Sequence, residues 1–494
     1  MGKSRGGPTV GVNIGSSLIK VVEARPGKGG PQITALGVAP TPPGTFDNEV
    51  ITDPQTLGQA IRRLLSDSGI SCKRCVSSVA GQSSVVVRII EVPKMTKQEL
   101  AETMKWEVER HVPFAANEVI MDFQPVERPG ADPADQNMEV LLAVAQQEFV
   151  NSHIEALLAA GLLPVALDVE SLAACRSLID IKKDDQEDTI AIVNIGAATT
   201  ELAVFQNKLL AFPRTLPIAG DALTRALSDG LHMPTEQAER LKRERGAVLM
   251  DRAQAAGADI GFPAAPAEDD AATAGLQSMG GGAVSDDDLG FIPGLGFSLG
   301  STEPQAPDAG ESVPGVEHEE EAPGLGGMPL MDFDLSSGED DIPMSATSPH
   351  IDLSGPAEPL PGDFSSVPAP VVPDAGAGEE AEEEIDTGHL TDEAIFDAMA
   401  PVLNDLIAEI RRSIEYYTSR FQSQPDKIFL CGGTSRLRDL DKLLQAELGI
   451  PVELANPLQD IVKYSKSLDQ DYLEEIATVF PVGVGLAIRD LIGD

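Results

Sequence analysis

Val12-Asn13-Ile14-Gly15-Ser16-Ser17 and Val193-Asn194-Ile195-Gly196-Ala197-Ala198 stand 181 residues apart and share a four-residue core. Each follows an apolar run and precedes a second one, so each reads as a strand, a tight Gly turn and a returning strand. A motif that recurs in the same context marks two related halves, with the two turns facing a common ligand. A tight Gly turn exposes backbone N–H groups in a concave arrangement that suits anions, and nearby hydroxyls add donors. Gly15, Ser16 and Ser17 on one side, and Gly196, Thr199 and Thr200 on the other, are therefore candidate phosphate contacts. Lys20, five residues beyond Gly15, is placed to offer a point charge to the same phosphates.

Around these turns the periodicity predicts further elements. Thr56–Ser66 reads as a helix carrying Leu57, Ile61, Leu64 and Leu65, and Val85–Val92 as a β-branched strand. Met95–Val112 is a helix opened by Thr96 with Glu99 at capping-box spacing, and closed by Pro113. Leu141–Ala145 reads as a short strand, Gln147–Ala160 as a helix ending at Gly161, and Thr189–Val204 as a strand pair. Glu393–Phe421 carries Ile395, Met399, Val402, Leu406, Ile410, Ile414, Tyr417 and Phe421 on one stripe, with a bend expected at Pro401. Lys427–Cys431 is an apolar strand opening into Gly432-Gly433-Thr434, which lets the backbone approach a flat ring or a phosphate, before a helix over Leu437–Leu448.

Composition separates one region from the rest. Between Asp251 and Leu390 there are 30 acidic residues and one basic residue, Arg252; of the net −43 this stretch holds −29 and the other residues −14. Rich in Gly, Pro, Ala and Ser, it cannot bury enough apolar surface to offset chain entropy and is expected to be disordered over 246–389. Its short apolar islands, 288–293 and 331–335, suit binding to a basic partner or a plain solvating spacer. No basic stripe suggests nucleic acid, and no eighteen-residue apolar run suggests a membrane span. The basic, Gly-rich start, with Gly6 where a myristoylation signal needs Ser or Thr, carries no targeting signal, so a cytoplasmic protein is expected. Four cysteines in 494 residues give no disulfide framework. Cys72-Lys73-Arg74-Cys75 lacks a second pair, and the six histidines do not cluster at ligand spacing.

The two turns, the 431–435 element and the terminal 477–489 stretch resemble the motifs of the actin, heat-shock chaperone and FtsA ATPase superfamily. Within it, residues 11–20 (GVNIGSSLIK), 105–114 (KWEVERHVPF) and 409–417 (EIRRSIEYY) are similar to the PilM-like proteins of type IV pilus assembly. The resemblance implies an α/β, two-lobed actin-like (ribonuclease H-like) ATPase fold with an FtsA/PilM-type extra subdomain. The expected division is 9–92 and 164–187 for the first lobe, 93–163 for the inserted subdomain, and 188–245 with 390–480 for the second lobe. Residues 246–389 would be the disordered insertion, and 481–494 a helix returning to the first lobe. It also implies ATP and Mg²⁺ as cofactors. Gly432, Gly433 and Thr434 would approach the nucleoside, and Glu239 and Lys242 would meet ribose and adenine; read without the resemblance, these last two are a solvated helix face.

The family pattern carries Asp where this chain has Asn13 and Asn194. Mg²⁺ wants oxygen ligands and oriented waters, and a neutral amide supplies less than a carboxylate. Asn13 and Asn194 are thus expected to meet the metal only through water, so that ATP is held with little hydrolysis. Candidates for a water-activating base are Asp168 and Glu170, although Asp168 also reads as the N-cap of a helix over Val169–Leu178. The resemblance further implies a groove that takes the cytoplasmic peptide of a PilN-like inner-membrane protein, placing the chain at that membrane through its partner. Contact with other pilus assembly proteins and self-association are compatible with it. Trp106, the only tryptophan, is either a docking anchor there or part of a helix core. The rival expectations are a working ATPase of the same fold, an FtsA-like filament former and a sugar kinase. Residues 488–494 are too short and acidic for the amphipathic membrane helix that FtsA-like proteins carry, and no polar pocket with a catalytic Asp supports the kinase.

Overall fold

A computed structural model describes residues 7–27, 30–47, 49–112, 114–128, 135–180, 188–253, 390–459 and 470–492. The expected disordered stretch falls almost wholly in 254–389, outside the described residues.

The first lobe grows from β1 (Thr9–Ile14), whose six residues are all buried. It turns into β2 (Leu18–Gly27) and β3 (Gly30–Pro40), both antiparallel, followed by a small hairpin of β4 (Phe46–Asp47) and β5 (Val50–Ile51). Helix α1 (Pro54–Asp67) starts two residues before the expected position because Asp53 caps it, accepting from the N–H groups of Gln55 and Thr56. Its Leu57, Ile61, Leu64 and Leu65 are buried as expected, each worth about 1.5–3 kcal/mol of transfer free energy. Strand β6 (Arg74–Val79) then lies parallel to β1 on the side away from β2.

The chain now leaves the lobe through β7 (Val85–Pro93), α2 (Lys97–His111), β8 (Val119–Val126) and β9 (Asn137–Gln146). The strands form a separate antiparallel sheet in the order β7-β9-β8. Leu100, Met104 and Val108 of α2 cover it, while Trp106 on the opposite helix face is 72% exposed. The capping box is present: Thr96 Oγ1 accepts from Glu99 N–H, and the Glu99 carboxylate accepts from Thr96 N–H at 2.8 Å. Strand β8 has no clean alternation and contains Pro125, which an edge position tolerates; that is why periodicity missed it. Helix α3 (Gln147–Ala159) returns to the first lobe, burying Phe149, Val150 and Leu157 in one cluster with Leu57 and Ile61. Strand β10 (Leu163–Val169) completes the sheet as β10-β6-β1-β2-β3, and α4 (Glu170–Cys175) follows it directly.

The second lobe repeats this plan. Strands β11 (Thr189–Ile195), β12 (Thr200–Gln206) and β13 (Leu209–Leu216) are antiparallel neighbours, followed by α5 (Gly220–Leu231) and α6 (Thr235–Arg245). Helix α7 (Asp392–Phe421) runs through Pro401 without a break and buries Ile395, Met399, Leu406, Ile410, Ile414 and Tyr417 of the expected stripe, with Val402 and Phe421 half-buried. Strand β14 (Lys427–Cys431), helix α8 (Leu440–Leu448) and strand β15 (Val452–Leu454) complete a sheet ordered β13-β12-β11-β14-β15, with β14 and β15 parallel to their inner neighbours. Two sheets of the same order and direction pattern, in sequential halves, make this an α/β fold of two related lobes.

Helix α9 (Gln470–Ile476) leads into α10 (Pro481–Ile488), an almost wholly apolar helix that turns back to the first lobe. Its Val482 and Leu486 join α4 residues Ala173, Ala174 and Cys175 and second-lobe residues Ile192, Phe205 and Phe429 in one buried cluster, so α4 and α10 lie between the two sheets. The approach is close enough to need glycine. A Cβ at Gly11 would lie 2.2 Å from the Gly483 carbonyl oxygen, and one at Gly485 would lie 1.7 Å from that of Ala173.

Candidate functional site: a cleft between two Gly turns

The two repeated turns face one cavity of about 510 Å³. They close in the same way: Gly15 N–H donates to Leu18 O, and Gly196 N–H to Thr199 O, both at 3.0 Å. Gly15, Ser16 and Ser17 line the cavity from the first lobe, and Gly196 and Thr199 from the second. Thr200 does not line it. Its side chain is fully buried and its hydroxyl donates to Ile218 O at 2.7 Å inside the second lobe. That follows from pairing, since Thr200 opens β12 and its hydroxyl is spent on the lobe's own backbone.

Asn13 and Asn194, each the last but one residue of its strand, line the cavity, and Glu170, the first residue of α4, lies between them. Asn13 Nδ2 donates to Glu170 Oε1 at 2.5 Å and to Ser78 Oγ at 3.0 Å, while Asn194 Nδ2 donates to Glu170 Oε2 at 3.4 Å. Lys20 Nζ donates to Asn13 Oδ1 at 2.8 Å. One carboxylate thus receives an amide from each lobe. Burial lowers the proton affinity of Lys20 below that of an ordinary lysine, against the pull of Glu170. Burial likewise raises Glu170, opposed by Lys20 and by the Asn13 and Ser78 hydrogen bonds.

Asp168 is placed elsewhere, and the N-cap reading is corrected. Asp168 belongs to β10; α4 begins at Glu170 with Val169 as its N-cap residue and no side-chain cap bond. The Asp168 carboxylate accepts from Arg176 Nη1 at 2.8 Å and from the N–H of Val169, with Arg489 Nε 3.8 Å away. A guanidinium gives a charge-assisted bond that a neutral backbone donor does not match.

On the other wall, Gly432, Gly433 and Thr434 follow β14 into the cavity. Gly432 has φ +93, and a Cβ there would meet Ile195 O at 2.3 Å and Asn194 Oδ1 at 2.7 Å, so only glycine fits. Gly433 has open space around it, and Thr434 Oγ1 donates to Gly196 O at 2.8 Å, tying this turn to the second phosphate turn. Glu239 and Lys242 on α6 also line the cavity. Lys242 Nζ bonds Gly220 O at 2.9 Å, Thr224 Oγ1 at 2.6 Å and the Glu239 carboxylate at 2.6 Å. Burial alone would raise Glu239, but the hydrogen bonds from Lys242 and Thr224 outweigh it and hold the carboxyl below its usual range. Arg243 Nη2 then reaches across the opening to Ser17 Oγ at 3.2 Å.

Glu201, Glu49, His153 and Arg243 line the cavity but were not legible as site residues. Glu201 lies directly opposite Asn194 across β11 and β12, as Lys20 lies opposite Asn13 across β1 and β2. Burial raises its carboxyl well above the usual range, with Glu170 and Glu49 adding to the rise. The signal was present: the repeat offset that carries Asn13 to Asn194 carries Lys20 to Glu201. Glu49, with φ 72, accepts from Gln82 N–H at 3.0 Å, and His153 Nδ1–H donates to Phe149 O at 3.1 Å. Burial pulls His153 down to about 4, so it is neutral. Neither has a local motif. Arg243, next to Lys242, looks in sequence like any exposed helix arginine.

The family model described as type IV pilus assembly protein PilM matches residues 11–248, and the one described as cell division protein FtsA matches residues 191–470. The chain belongs to the actin-like PilM/FtsA family. A solved PilM-PilN type IV pilus biogenesis complex is similar over 98% of this chain and 99% of that one, with TM-score 0.63 and 24% identity, a likeness of fold. FtsA of Bacillus subtilis is 38% identical over 73 residues, covering 15% of this chain and 17% of that protein. FtsA of Escherichia coli strain K12 is 20% identical over 258 residues, covering 49% and 61%. The matches therefore span less than two thirds of these relatives' own length. The three-stranded sheet of 85–146 interrupts the first lobe, between β6 and β10. Among the described residues no helix is long and apolar enough to cross a membrane.

Proposed function

We propose that this chain is an ATP-holding scaffold of type IV pilus assembly that docks the cytoplasmic peptide of a PilN-like inner-membrane protein and hydrolyses ATP weakly or not at all. The observation that carries this reading is the convergence of both Gly turns, Lys20 and Glu170 on one cleft. The turns offer N–H donors to phosphates and Lys20 offers charge; Gly432 and Gly433 leave room for the nucleoside, and Lys242 and Arg243 flank it. The cradle suits phosphate, since a Cβ at Gly15 would sit 3.3 Å from Lys20 Nζ, where an anion oxygen would approach. When bound, a Mg²⁺ ion would offset phosphate charge. The cleft fits a metal shared with a nucleotide, through Glu170 and water, and Asn13 and Asn194 contribute amides rather than carboxylates. Of the two candidates for a water-activating base, Asp168 and Glu170, Glu170 is the one that lines the cleft, yet both its oxygens already accept amide hydrogens, which favours binding over turnover.

The PilN-like partner is supported by the likeness to the PilM-PilN complex and by Trp106, exposed on α2 of the three-stranded sheet. Through that partner the chain would sit at the inner membrane from the cytoplasmic side. The deciding experiment measures ATP affinity and phosphate release on one sample, with and without Mg²⁺. Tight binding without release supports the scaffold. Steady Mg²⁺-dependent turnover makes the protein a working ATPase, and nucleotide-dependent sedimentation would favour an FtsA-like filament.

A further inference from the structure

The three-stranded sheet joins the first lobe through two passages of unequal stiffness. Coming back, β9 runs straight into α3 with no residue between them, and α3 is fixed by its buried Phe149 and Val150. Going out, residues 80–84 between β6 and β7 belong to no strand or helix. A stiff passage beside a pliant one leaves a body free to tilt unless the pliant one is held.

Glu49 holds it. Its carboxylate accepts from the N–H of Gln82 at 3.0 Å, from the N–H of Ser83 at 3.5 Å and from Ser83 Oγ at 3.4 Å. An ionised acceptor makes these bonds stronger than a neutral one would. Ser84 O in turn accepts from Gln146 N–H at 3.0 Å, which ties the outgoing passage to the returning one.

The backbone on both sides is shaped to this contact. Phe46 pairs with Ile51 and Asp47 with Val50, which leaves two positions, 48 and 49, for the hairpin turn. A turn of that length with φ > 0 favours Gly at its second position, yet Glu49 stands there at φ 72. Lys208 fills the same position of the β12–β13 turn at φ 66, so strain by itself assigns nothing. What singles out Glu49 is where its carboxylate goes. Across from it, a Cβ at Gly81 would lie 3.0 Å from Glu49 Oε2, so the passage is bare of side chain where the carboxylate approaches.

We propose that the β4–β5 hairpin is a built-in clasp, in which Glu49 fixes the outgoing passage and thereby sets the tilt of the three-stranded sheet on the first lobe. Glu49 is a positioning residue in this role, and the inference depends neither on a nucleotide nor on a docked peptide. At its far end the sheet is fastened separately, by Arg128 Nη2 to Leu210 O of β13 at 3.0 Å. Loss of the clasp therefore frees the near end and leaves the rest of the fold in place.

The test uses the full chain. Amide hydrogen exchange is read by mass spectrometry, and energy transfer is followed from Trp106, the only tryptophan, to a dye on Cys72, the one cysteine that is not buried. Glu49→Gly relieves the turn and removes the carboxylate. It is expected to speed exchange over 80–92 by roughly tenfold and to broaden the Trp106–Cys72 distance distribution, while the denaturation midpoint stays where it was. Glu49→Gln keeps the strained turn and a neutral acceptor, so it should show both changes at smaller amplitude, and it guards against a folding defect in the Gly variant. Exchange and distances unchanged in both variants overturn the clasp. A lowered midpoint with exchange faster in every segment alike also overturns it, because a plain contribution to stability would do the same.

Discussion

In the first lobe Asn13 faces Lys20 across β1 and β2; in the second Asn194 faces Glu201 across β11 and β12. The backbones are alike, down to equal Gly15–Leu18 and Gly196–Thr199 hydrogen bonds that close the turns. The side chains opposite the two asparagines are an amine and a carboxyl. A repeat therefore fixes where a residue points and leaves its chemistry free to diverge, and here the divergence gives one cleft a lysine wall and a glutamate wall. Glu170 lies at their junction and takes an amide from each.

The largest expected effect lies where the lobes share a part. Gly485→Ala places a methyl 1.7 Å from the Ala173 carbonyl, between α10 and α4, and backbone cannot give way as a side chain can. Chemical denaturation should find a loss of about 3 kcal/mol. A change below about 1 kcal/mol would mean that the helix between the sheets is loosely held. Next, Lys20→Ala should weaken ATP binding about ten- to hundredfold, the worth of a charge-assisted hydrogen bond to a phosphate. An unchanged affinity would strip the first wall of its assigned role.

The first lobe also carries a buried His153 at the cavity. Its proton affinity is lowered to about 4 from an ordinary 6.5. Between these values the unfolded chain takes up a proton and the folded one does not, so this group's contribution is present above pH 6.5 and is lost as pH falls towards 4. At pH 5 the unaltered protein should have lost about 2 kcal/mol through this histidine, a loss that His153→Gln escapes. Comparing the two stability–pH curves isolates it; parallel curves would show a charged or solvated ring. The smallest effect is expected outside both lobes. Trp106→Ala should change stability by no more than about 0.5 kcal/mol, because the ring is 72% exposed. Its binding to a synthetic PilN-like cytoplasmic peptide, read by fluorescence anisotropy, should nevertheless weaken, and unaltered binding would move the docking surface away from α2.

Much of this was legible in local pattern. The recurrence of Val-Asn-Ile-Gly marked both turns, the stripe on residues 393–421 marked α7, and Thr96 with Glu99 marked the start of α2, because period and capping chemistry are properties of neighbours in sequence. What failed did so for physical reasons. Asp168 looked like a cap until a guanidinium eight residues on claimed it. Thr200 looked like a phosphate contact until strand pairing turned its hydroxyl inward. Glu239 and Lys242, a solvated helix face by local reading, meet the cavity only because α6 docks beside the second turn.

The sequence by itself determined the two turns, the order of elements around them and the charge asymmetry between the acidic stretch and the rest, since these rest on spacing and composition. Tertiary structure alone decided that Glu170 would receive amides from both lobes, that Arg243 would reach Ser17, and that Glu201 would line the cleft with its Oε2 unpaired among the described residues. Those contacts join residues 24 to 226 positions apart, and a contact at such range exists only once two sheets and the helices between them have packed.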